Sequence, residues 1–196
     1  ELDLSKGWSI VQDVHDLGEE LGIYLPGWNP QAIGPAFSEW EPIDRLAHLQ
    51  LLLAEQPYFG RALRYFNEHP WWYRLEFAAP DRTEGPGASL CFQGVDYFCK
   101  VWLNGEPVGQ HEGYFAPFAF EVGHLLKPGQ ANLLVVKVWS PWDRQVQPGR
   151  ADRRFWAVVR DLVKGTYEHA DTLVQRDVNP VGLWGNVSLR PTRVCA

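Results

Sequence analysis

The stretch of residues 166–180, TYEHADTLVQRDVNP, contains several side chains that could do chemistry. Asp171 and Asp177 stand out, because two carboxyl groups that face each other can act as general acid and general base. The stretch is polar, and it follows a region that breaks the alternating pattern of strands. Because carboxylates in such segments are usually solvated, we expect no self-contained catalytic site and assign no catalytic residue.

Other reactive arrangements are missing from the sequence. The 6 histidines are isolated and show neither H-x-x-x-H nor Cys/His spacing, so no zinc site is predicted. The G-x-S-x-G motif of serine hydrolases is absent, and no glycine-rich phosphate loop precedes a helix. We therefore predict no metal and no cofactor.

Charge and hydropathy limit the partners. The net charge is −6 and lysines and arginines do not cluster, so nucleic acid is not an expected partner. No apolar run approaches the roughly 18 residues that span a bilayer, so we expect no membrane contact. The chain begins at Glu1 rather than Met, and we expect it to be part of a longer polypeptide. The residues leave the cellular compartment open.

The elements that position any site are mostly strands. Five runs between residues 71 and 140 are rich in aromatic and β-branched residues and are separated by Gly/Pro-containing turns: WWYRLEF, ASLCFQGV, YFCKVWLNG, PFAFEV and ANLLVVKVWS. Asn104-Gly105 predicts a tight hairpin turn. Together with an opening strand and a final strand, GLWGNVSLRP, the pattern predicts an all-β, antiparallel jelly-roll sandwich.

Two helices are predicted in loops. The apolar spacing in PIDRLAHLQLLLAEQ, residues 42–56, indicates a helical insert of three to four turns with Pro42 in its first turn. A second helix is expected in RRFWAVVRDLVKG, ending at Gly165. It lies within a long excursion of about residues 141–179, and connections of this length are often functional.

Alternation also predicts which side chains leave the main core. Trp102 and Trp139 alternate out of phase with their buried neighbours. Such residues lie under the helix or the long excursion, which we expect here, or line a ligand or interdomain surface. Cys91 is predicted to point outward and Cys99 inward, so with Cys195 we expect three free thiols. The 10 tryptophans are also suited to stacking on sugars, although most are expected in the core.

Several motifs occur together in the order of a known family. They are LSKGW, LPG, WWYRLEF, FQGVDYFCKVWLNGEPVGQHEGYFAPFAFEVGHLL, GQANLLVVKV and VGLWGNVSL. This set resembles the N-terminal sugar-binding domain of glycoside hydrolase family 2, which includes β-galactosidases, β-glucuronidases and β-mannosidases. The most specific element is V-W-L-N-G, followed by V-G, H-E-G and P-F and by the final G-L-W and V-x-L.

The resemblance implies a multidomain context. In the family this galactose-binding-like sandwich is followed by an immunoglobulin-like domain and a catalytic (β/α)₈ barrel, which carries the two glutamates of a retaining mechanism. Residues 1–196 would then be a single domain, the N-terminal fragment of a retaining β-glycosidase, and inactive alone. Its expected partners are the barrel, the immunoglobulin-like domain and, through the whole enzyme, a β-glycoside.

The resemblance also implies substrate-binding residues. In relatives, the stretch before the G-[IL]-W strand reaches toward the barrel and can contact the sugar, which designates Asp177 and Asn179, with Arg176 and His169 nearby. Arg176 occupies the position where the β-galactosidase pattern has its carboxylate, and the W-D-W of β-mannosidases is absent. Asn67 is a further candidate, from the loop before WWYRLEF.

The segment GQHEGYFAPF corresponds to a family loop near the domain interface. We expect His111 and Glu112 to brace this loop by hydrogen bonds and expect Phe115 and Phe118 in the core. Three hypotheses remain open. The chain is the accessory sugar-binding domain of a family 2 hydrolase, an autonomous carbohydrate-binding module, or a purely structural jelly roll.

Overall fold

The computed structural model describes residues 1–28, 39–57, 61–81, 87–140, 144–145, 158–159 and 179–192. The helices are α1 (Leu49–Leu53) and α2 (Tyr65–Glu68), the latter preceded by a 3₁₀ turn (Arg61–Arg64). The strands are β1 (Leu2–Asp3), β2 (Ser9–Gln12), β3 (Glu41–Pro42), β4 (Trp71–Ala78), β5 (Ala88–Phe92), β6 (Val95–Asp96), β7 (Phe98–Leu103), β8 (Glu106–Glu112), β9 (Phe118–Glu121), β10 (Ala131–Trp139), β11 (Arg144–Gln145), β12 (Val158–Val159), β13 (Gly182–Leu183) and β14 (Val187–Pro191).

Two antiparallel sheets form a sandwich, which confirms the predicted fold class. In the described ranges, the larger sheet has the order β3-β2-β4-β10-β7-β8 and the smaller one the order β1-β14-β5-β9. Two short pairs, β11 with β12 and β13 with β6, complete the strand pairing in those ranges. Side chains from the facing sides of the two sheets make the main core, and both short helices pack at its edge.

Strand β10 shows how alternation places side chains on two faces. Leu134, Val136 and Val138 belong to the main core between the sheets. Leu133 and Val135 point the other way and pack with Trp102 in a second apolar cluster. Both faces of this central strand are therefore covered, which explains why its sequence reads as a nearly continuous apolar run.

The second cluster lies under the chain's own N-terminal segment. Tyr24 stacks on Trp102, with ring centroids 5.0 Å apart, and Ile23 is fully buried beside Trp72. Trp102 is therefore covered by the chain itself, as predicted, and among the described residues the cover includes residues 21–28. Trp139 is half-buried and stacks on Phe98 at 5.4 Å.

The hairpin between β7 and β8 confirms the turn prediction and corrects the loop prediction. Asn104 and Gly105 have φ values of +56° and +90°, the left-handed region that a type I′ turn requires. Residues 109–112 were predicted to belong to a braced loop, but they form part of β8, which pairs with β7 from Glu106 to Glu112 with one register shift opposite Val101 and Trp102. The glycine, proline and charged residues of β8 obscured this strand, since an edge strand tolerates all three.

The predicted helix over residues 42–56 is wrong in length. Glu41 and Pro42 pair with β2 instead, and the Ile43 N–H donates to the Trp8 carbonyl oxygen at 3.0 Å. Residues 43–48 form no helix, and His48 has φ −58° and ψ 139°, so helix α1 begins only at Leu49. Pairing with a sheet edge satisfied backbone groups that the helical spacing had assigned to a helix.

The other local predictions have mixed outcomes. Val158–Val159 pairs with Arg144–Gln145 as a strand, which contradicts the predicted helix there, and the rest of that helix lies outside the described residues. Cys91 is half-buried and Cys99 is buried, and both are free, as predicted. Cys195 lies outside the described residues. No helix in the described ranges is long and apolar enough to cross a membrane.

Candidate functional site

Asn67 and Asn179, two of the residues predicted to contact substrate, lie against each other. The Asn67 side-chain amide donates to the Asn179 carbonyl oxygen at 2.7 Å, and the Asn179 N–H donates to Asn67 Oδ1 at 3.2 Å. Both residues are buried, at 6% and 1% exposure. The chain thus holds residue 179 by a side chain on α2 that lies 112 positions earlier.

Gln50 on helix α1 joins the same group. Its Nε2 donates to the Asn179 carbonyl oxygen at 2.8 Å, and its Oε1 accepts from the Val181 N–H at 3.4 Å. The Leu49 N–H also donates to the Val181 carbonyl oxygen at 2.8 Å. We call Gln50, Asn67 and the backbone of residues 179–181 the amide clamp. Side chains from two short helices thus form hydrogen bonds to the backbone of this segment, as a neighbouring strand would.

The amide clamp changes what Asn67 can do. Its oxygen and at least one of its two N–H donors are engaged by the backbone of Asn179, and little of the side chain reaches the surface. Asn67 therefore positions the chain around residue 179. The remaining predicted substrate-binding residues, His169, Arg176 and Asp177, lie outside the described residues.

Glu112 and His111 lie on strand β8 rather than in a loop. Glu112 Oε1 accepts a hydrogen bond from the Tyr97 hydroxyl at 2.9 Å, so Glu112 does tie the start of β7 to the end of β8. His111 instead stacks on Phe118, with ring centroids 3.8 Å apart. Burial lowers the pKa of His111, and the nearby charge of Glu112 only partly opposes this.

The loop that follows β8 departs from the prediction at one aromatic residue. Phe115 was expected in the core, but 71% of it is exposed. It contacts Tyr114, and Tyr114 in turn lies 4.8 Å from the Tyr97 ring. Phe118 packs against the core as predicted and stacks on Phe92 at 4.9 Å. Gly113, with φ +141°, reverses the chain before this loop.

A second polar group, missed by the sequence, joins three distant elements. His48 Nε2 lies 2.7 Å from Asp96 Oδ2, and Asp96 Oδ1 accepts from the Trp184 indole N–H at 3.0 Å. Asp96 is buried, whereas 28% of the His48 side chain is exposed. No local motif relates positions 48, 96 and 184. Their contact links the chain before α1 to strand β6 and to the residue after β13.

A pocket of about 760 Å³ opens between the ends of the two helices. Tyr65, Phe66 and Trp71 form its aromatic side, and Leu53 and Leu63 add apolar surface. Glu41, Glu55 and Gln56 supply its polar atoms. These polar residues come from two separate segments, residue 41 and residues 55–56, and no shared motif marks them in the sequence.

The described parts of the chain contain no group of three or more His, Cys, Asp or Glu side chains arranged to hold a metal ion. They do contain carboxylates, amides and aromatic rings in partly enclosed positions. Such side chains are suited to recognising a polyhydroxylated ligand.

Comparison with known proteins identifies the family. The model of the protein family described as "Glycosyl hydrolase 2 galactose-binding domain-like" matches residues 45–177, more than half of the chain. The chain therefore belongs to the galactose-binding-like domains of glycoside hydrolase family 2. This assignment agrees with the antiparallel sandwich and with the resemblance inferred from the motifs.

Curated relatives of this chain are much longer proteins. A β-galactosidase of Thermoanaerobacter pseudethanolicus is 36% identical over 89 residues, which are 43% of this chain and 12% of that protein. The β-mannosidase B of Thermothelomyces thermophilus is 36% identical over 136 residues, which are 59% of this chain and 16% of that protein. This chain thus spans less than one fifth of the length of each relative. Because the two relatives are named for different glycosides, they do not indicate a single substrate.

A solved structure supports the fold. The β-glucuronidase of Ruminococcus gnavus matches with a TM-score of 0.53 and 23% identity, over 74% of this chain and 22% of that chain. At this identity the match concerns the architecture alone. It places the described sandwich among domains that form a minor part of a larger chain.

Proposed function

We propose that this chain is the accessory domain of a family 2 glycoside hydrolase, which packs on a catalytic barrel and presents contacts to the bound β-glycoside. The observation that carries the proposal is family membership over residues 45–177, combined with the small share of each relative that the chain spans. Both relatives are named as glycosidases, and the catalytic glutamates expected for such enzymes lie in a different domain.

The amide clamp supports a role for the segment that ends at residue 179. A segment that presents a side chain to a substrate must be anchored, because small displacements weaken an oriented contact. Gln50 and Asn67 anchor Asn179 through buried hydrogen bonds of 2.7–2.8 Å to its carbonyl oxygen. Asp177 is two positions before this anchor and is the residue that we assign to the glycoside, with Asn179, Arg176 and His169 nearby.

The chain also offers surface for an interdomain contact. Phe115 is 71% exposed, and aromatic side chains are enriched where domains and proteins meet. Glu112 and Tyr97 hold the strands beside the Phe115 loop. We assign the Phe115 loop to the face that packs on the rest of the enzyme.

The test uses the full-length enzyme and one residue of the segment. Asp177→Ala should lower kcat/KM for the hydrolysed nitrophenyl glycoside by at least about 100-fold while leaving the unfolding temperature nearly unchanged. Asp171→Ala, in the same segment, is the matched control and should retain activity. Equal activities of the two variants would remove Asp177 from the substrate contact.

The domain assignment has its own test. The 196-residue chain alone should hydrolyse none of the nitrophenyl β-galactoside, β-mannoside and β-glucuronide, whereas the full-length protein should hydrolyse one of them. Turnover by the purified chain would overturn the accessory role. A full-length protein that hydrolyses none of the three would remove the glycosidase context.

A further inference from the structure

We propose that the pocket between α1 and α2 binds a neutral pyranose ring, with the sugar stacked on Tyr65 and its hydroxyls bound to Glu41, Glu55 and Gln56. This site lies within the described chain and goes beyond the proposed function, since it gives the domain a carbohydrate site of its own. It depends on the family assignment only for the expectation that carbohydrate is present.

The aromatic side of the pocket is well suited to a sugar face. Tyr65 is 48% exposed, whereas Phe66 and Trp71 behind it are almost fully buried. The Tyr65 ring meets both neighbours edge to face, at 5.6 Å and 6.3 Å, and Phe66 stacks on Trp71 at 5.9 Å. One accessible ring therefore rests on two buried ones, and pyranose C–H groups pack favourably on such an apolar face.

These rings are held before any ligand arrives. The Trp71 indole N–H donates to the Phe66 carbonyl oxygen at 3.1 Å. The Tyr65 hydroxyl donates to Gln12 Oε1, and Gln12 Nε2 donates to the Tyr65 carbonyl oxygen at 3.4 Å. Because the Tyr65 hydroxyl is already hydrogen-bonded, its exposed ring loses little conformational freedom when a ligand binds.

The polar side of the pocket supplies oxygen atoms that accept hydrogen bonds. Glu41, Glu55 and Gln56 are all exposed and line the pocket. Carboxylates accept strong hydrogen bonds from hydroxyl groups. Glu41 is positioned by the pairing of β3 with Ile10 on β2, and Glu55 follows the end of α1.

Size and charge narrow the ligand class. A volume of about 760 Å³ lies within the range of roughly 300–1,000 Å³ typical of small-molecule pockets, so a sugar and bound water fit. The two carboxylates in the lining, Glu41 and Glu55, repel a third, so a uronic acid is disfavoured relative to a neutral sugar. The pocket thus suits a galactose- or mannose-type ring better than a glucuronate.

Titration of the 196-residue chain tests the site directly. Methyl β-D-galactopyranoside, methyl β-D-mannopyranoside and methyl β-D-glucuronide are added separately up to about 50 mM, and amide shifts are followed by ¹H–¹⁵N NMR. At least one neutral glycoside should shift the amides of residues 53–56 and 61–66 with a dissociation constant in the millimolar range. The glucuronide should bind at least about fivefold more weakly.

Variants separate the roles of the two sides. Tyr65→Ala should weaken binding about tenfold, whereas Tyr65→Phe, which keeps the ring, should remain within about twofold of the unmodified chain. Glu55→Gln should also weaken binding. The matched controls lie outside the pocket: Phe115→Ala removes another exposed aromatic ring and Glu106→Gln another exposed carboxylate, and neither should alter the titration.

Three results would overturn the proposal. They are the absence of shifts with both neutral glycosides, shifts centred elsewhere in the chain, and equal losses from Tyr65→Ala and Phe115→Ala. A glucuronide that binds as tightly as the neutral sugars would contradict the charge argument. These failures leave hydrolysis by the full-length enzyme intact, so they are distinguishable from failure of the proposed function.

Discussion

The side-chain amide of Asn67 donates a 2.7 Å hydrogen bond to the backbone carbonyl oxygen of Asn179, and Asn67 Oδ1 accepts from the N–H of the same residue. One asparagine thus satisfies both backbone groups of a buried residue, as a neighbouring strand would. Gln50 provides the second donor to that carbonyl. The point where the chain re-enters the sandwich depends on two side chains rather than on a sheet.

Removing this side chain should destabilise the domain. Asn67→Ala leaves the Asn179 N–H buried without its acceptor, and we expect a loss of about 2–3 kcal/mol in the free energy of unfolding, measured by urea denaturation. Asn67→Asp should cost at least as much despite its similar shape, because a carboxylate oxygen would then face the Asn179 carbonyl oxygen.

Asn186→Ala is the control for this prediction. Asn186 is exposed, and its backbone oxygen, which accepts from the Gln93 N–H, survives the substitution. Its effect should stay within about 0.5 kcal/mol. An Asn67→Asp protein as stable as the unmodified chain would show that the hydrogen bond to the Asn179 carbonyl contributes nothing.

Asp13 should be needed to hold the N-terminal cover on the second apolar cluster. This fully buried carboxylate accepts hydrogen bonds from the N–H groups of Leu17 and Gly18 and from the Trp72 indole, at 2.8–2.9 Å. Asp13→Asn replaces one acceptor oxygen with a donor that faces other donors. We expect a loss of about 2–4 kcal/mol, together with faster proteolysis within residues 14–28.

The comparison for Asp13 is Asp44→Asn. The Asp44 side chain is 79% exposed and its pair with Arg45 is long, at 3.9 Å, so the change should be close to neutral. Limited proteolysis within residues 14–28 reports on the cover. If Asp13→Asn and Asp44→Asn unfold at the same urea concentration, the buried carboxylate does not anchor the segment.

The stability of the cover should depend on pH through Glu19. Burial disfavours its ionised form, but hydrogen bonds from Lys100 and Lys137 outweigh burial and lower the pKa of Glu19 below 4.5. A carboxyl group whose pKa is lower in the folded than in the unfolded state stabilises the fold at pH values above its unfolded pKa. That contribution is lost as the pH falls through the lowered pKa.

Glu19→Gln should therefore flatten the acid side of the stability profile. Urea unfolding between about pH 3 and pH 7 should give a difference between the two proteins that shrinks toward low pH. Glu20→Gln, an exposed neighbour, should leave the profile unchanged. A constant difference across this range would show that the ion pairs of Glu19 do not contribute.

Lys137 should make the stability of the fold depend on pH at the alkaline end of the same profile. Burial disfavours its ammonium form, but hydrogen bonds to Asp16 and Glu19, at 2.7 Å and 2.9 Å, outweigh burial and raise the pKa above 10.5. Its contribution is present below the unfolded pKa and is lost as the pH rises through the raised one. Lys137→Met should remove this alkaline loss in unfolding experiments, and a persistent loss would assign it to other groups.

The two described cysteines should differ in reactivity. Burial raises the pKa of Cys99 to about 12, and Cys99 is inaccessible between the sheets. Burial also raises the pKa of the half-buried Cys91, although the nearby Arg190 opposes this. Because the thiolate is the reactive form, iodoacetamide at about pH 8 should label Cys91 slowly and Cys99 only after unfolding. Peptide mass spectrometry measures the labelling of each cysteine. Labelling of Cys99 in the native protein would contradict its burial.

Local sequence was sufficient for the strands whose side chains alternate and for one turn. β4, β7 and β10 lie where their patterns predicted, and Asn104-Gly105 adopts positive φ because these residues tolerate it at little cost. The edge strand β8 was missed because an edge faces solvent and needs no alternation. The helix predicted from residue 42 was too long because the pairing of Glu41 and Pro42 with β2 overrode its apolar spacing.

By itself, the sequence determined the all-β class, the direction of Cys91, Cys99 and Trp102, and the family through its ordered motifs. Only the tertiary structure decided that Asn67 meets Asn179, that Asp96 joins His48 and Trp184, and that Phe115 is exposed. The physical reason is that periodicity reports which face of an element is buried. Contacts between residues tens of positions apart depend instead on how the sheets and short helices pack, and no local spacing encodes that.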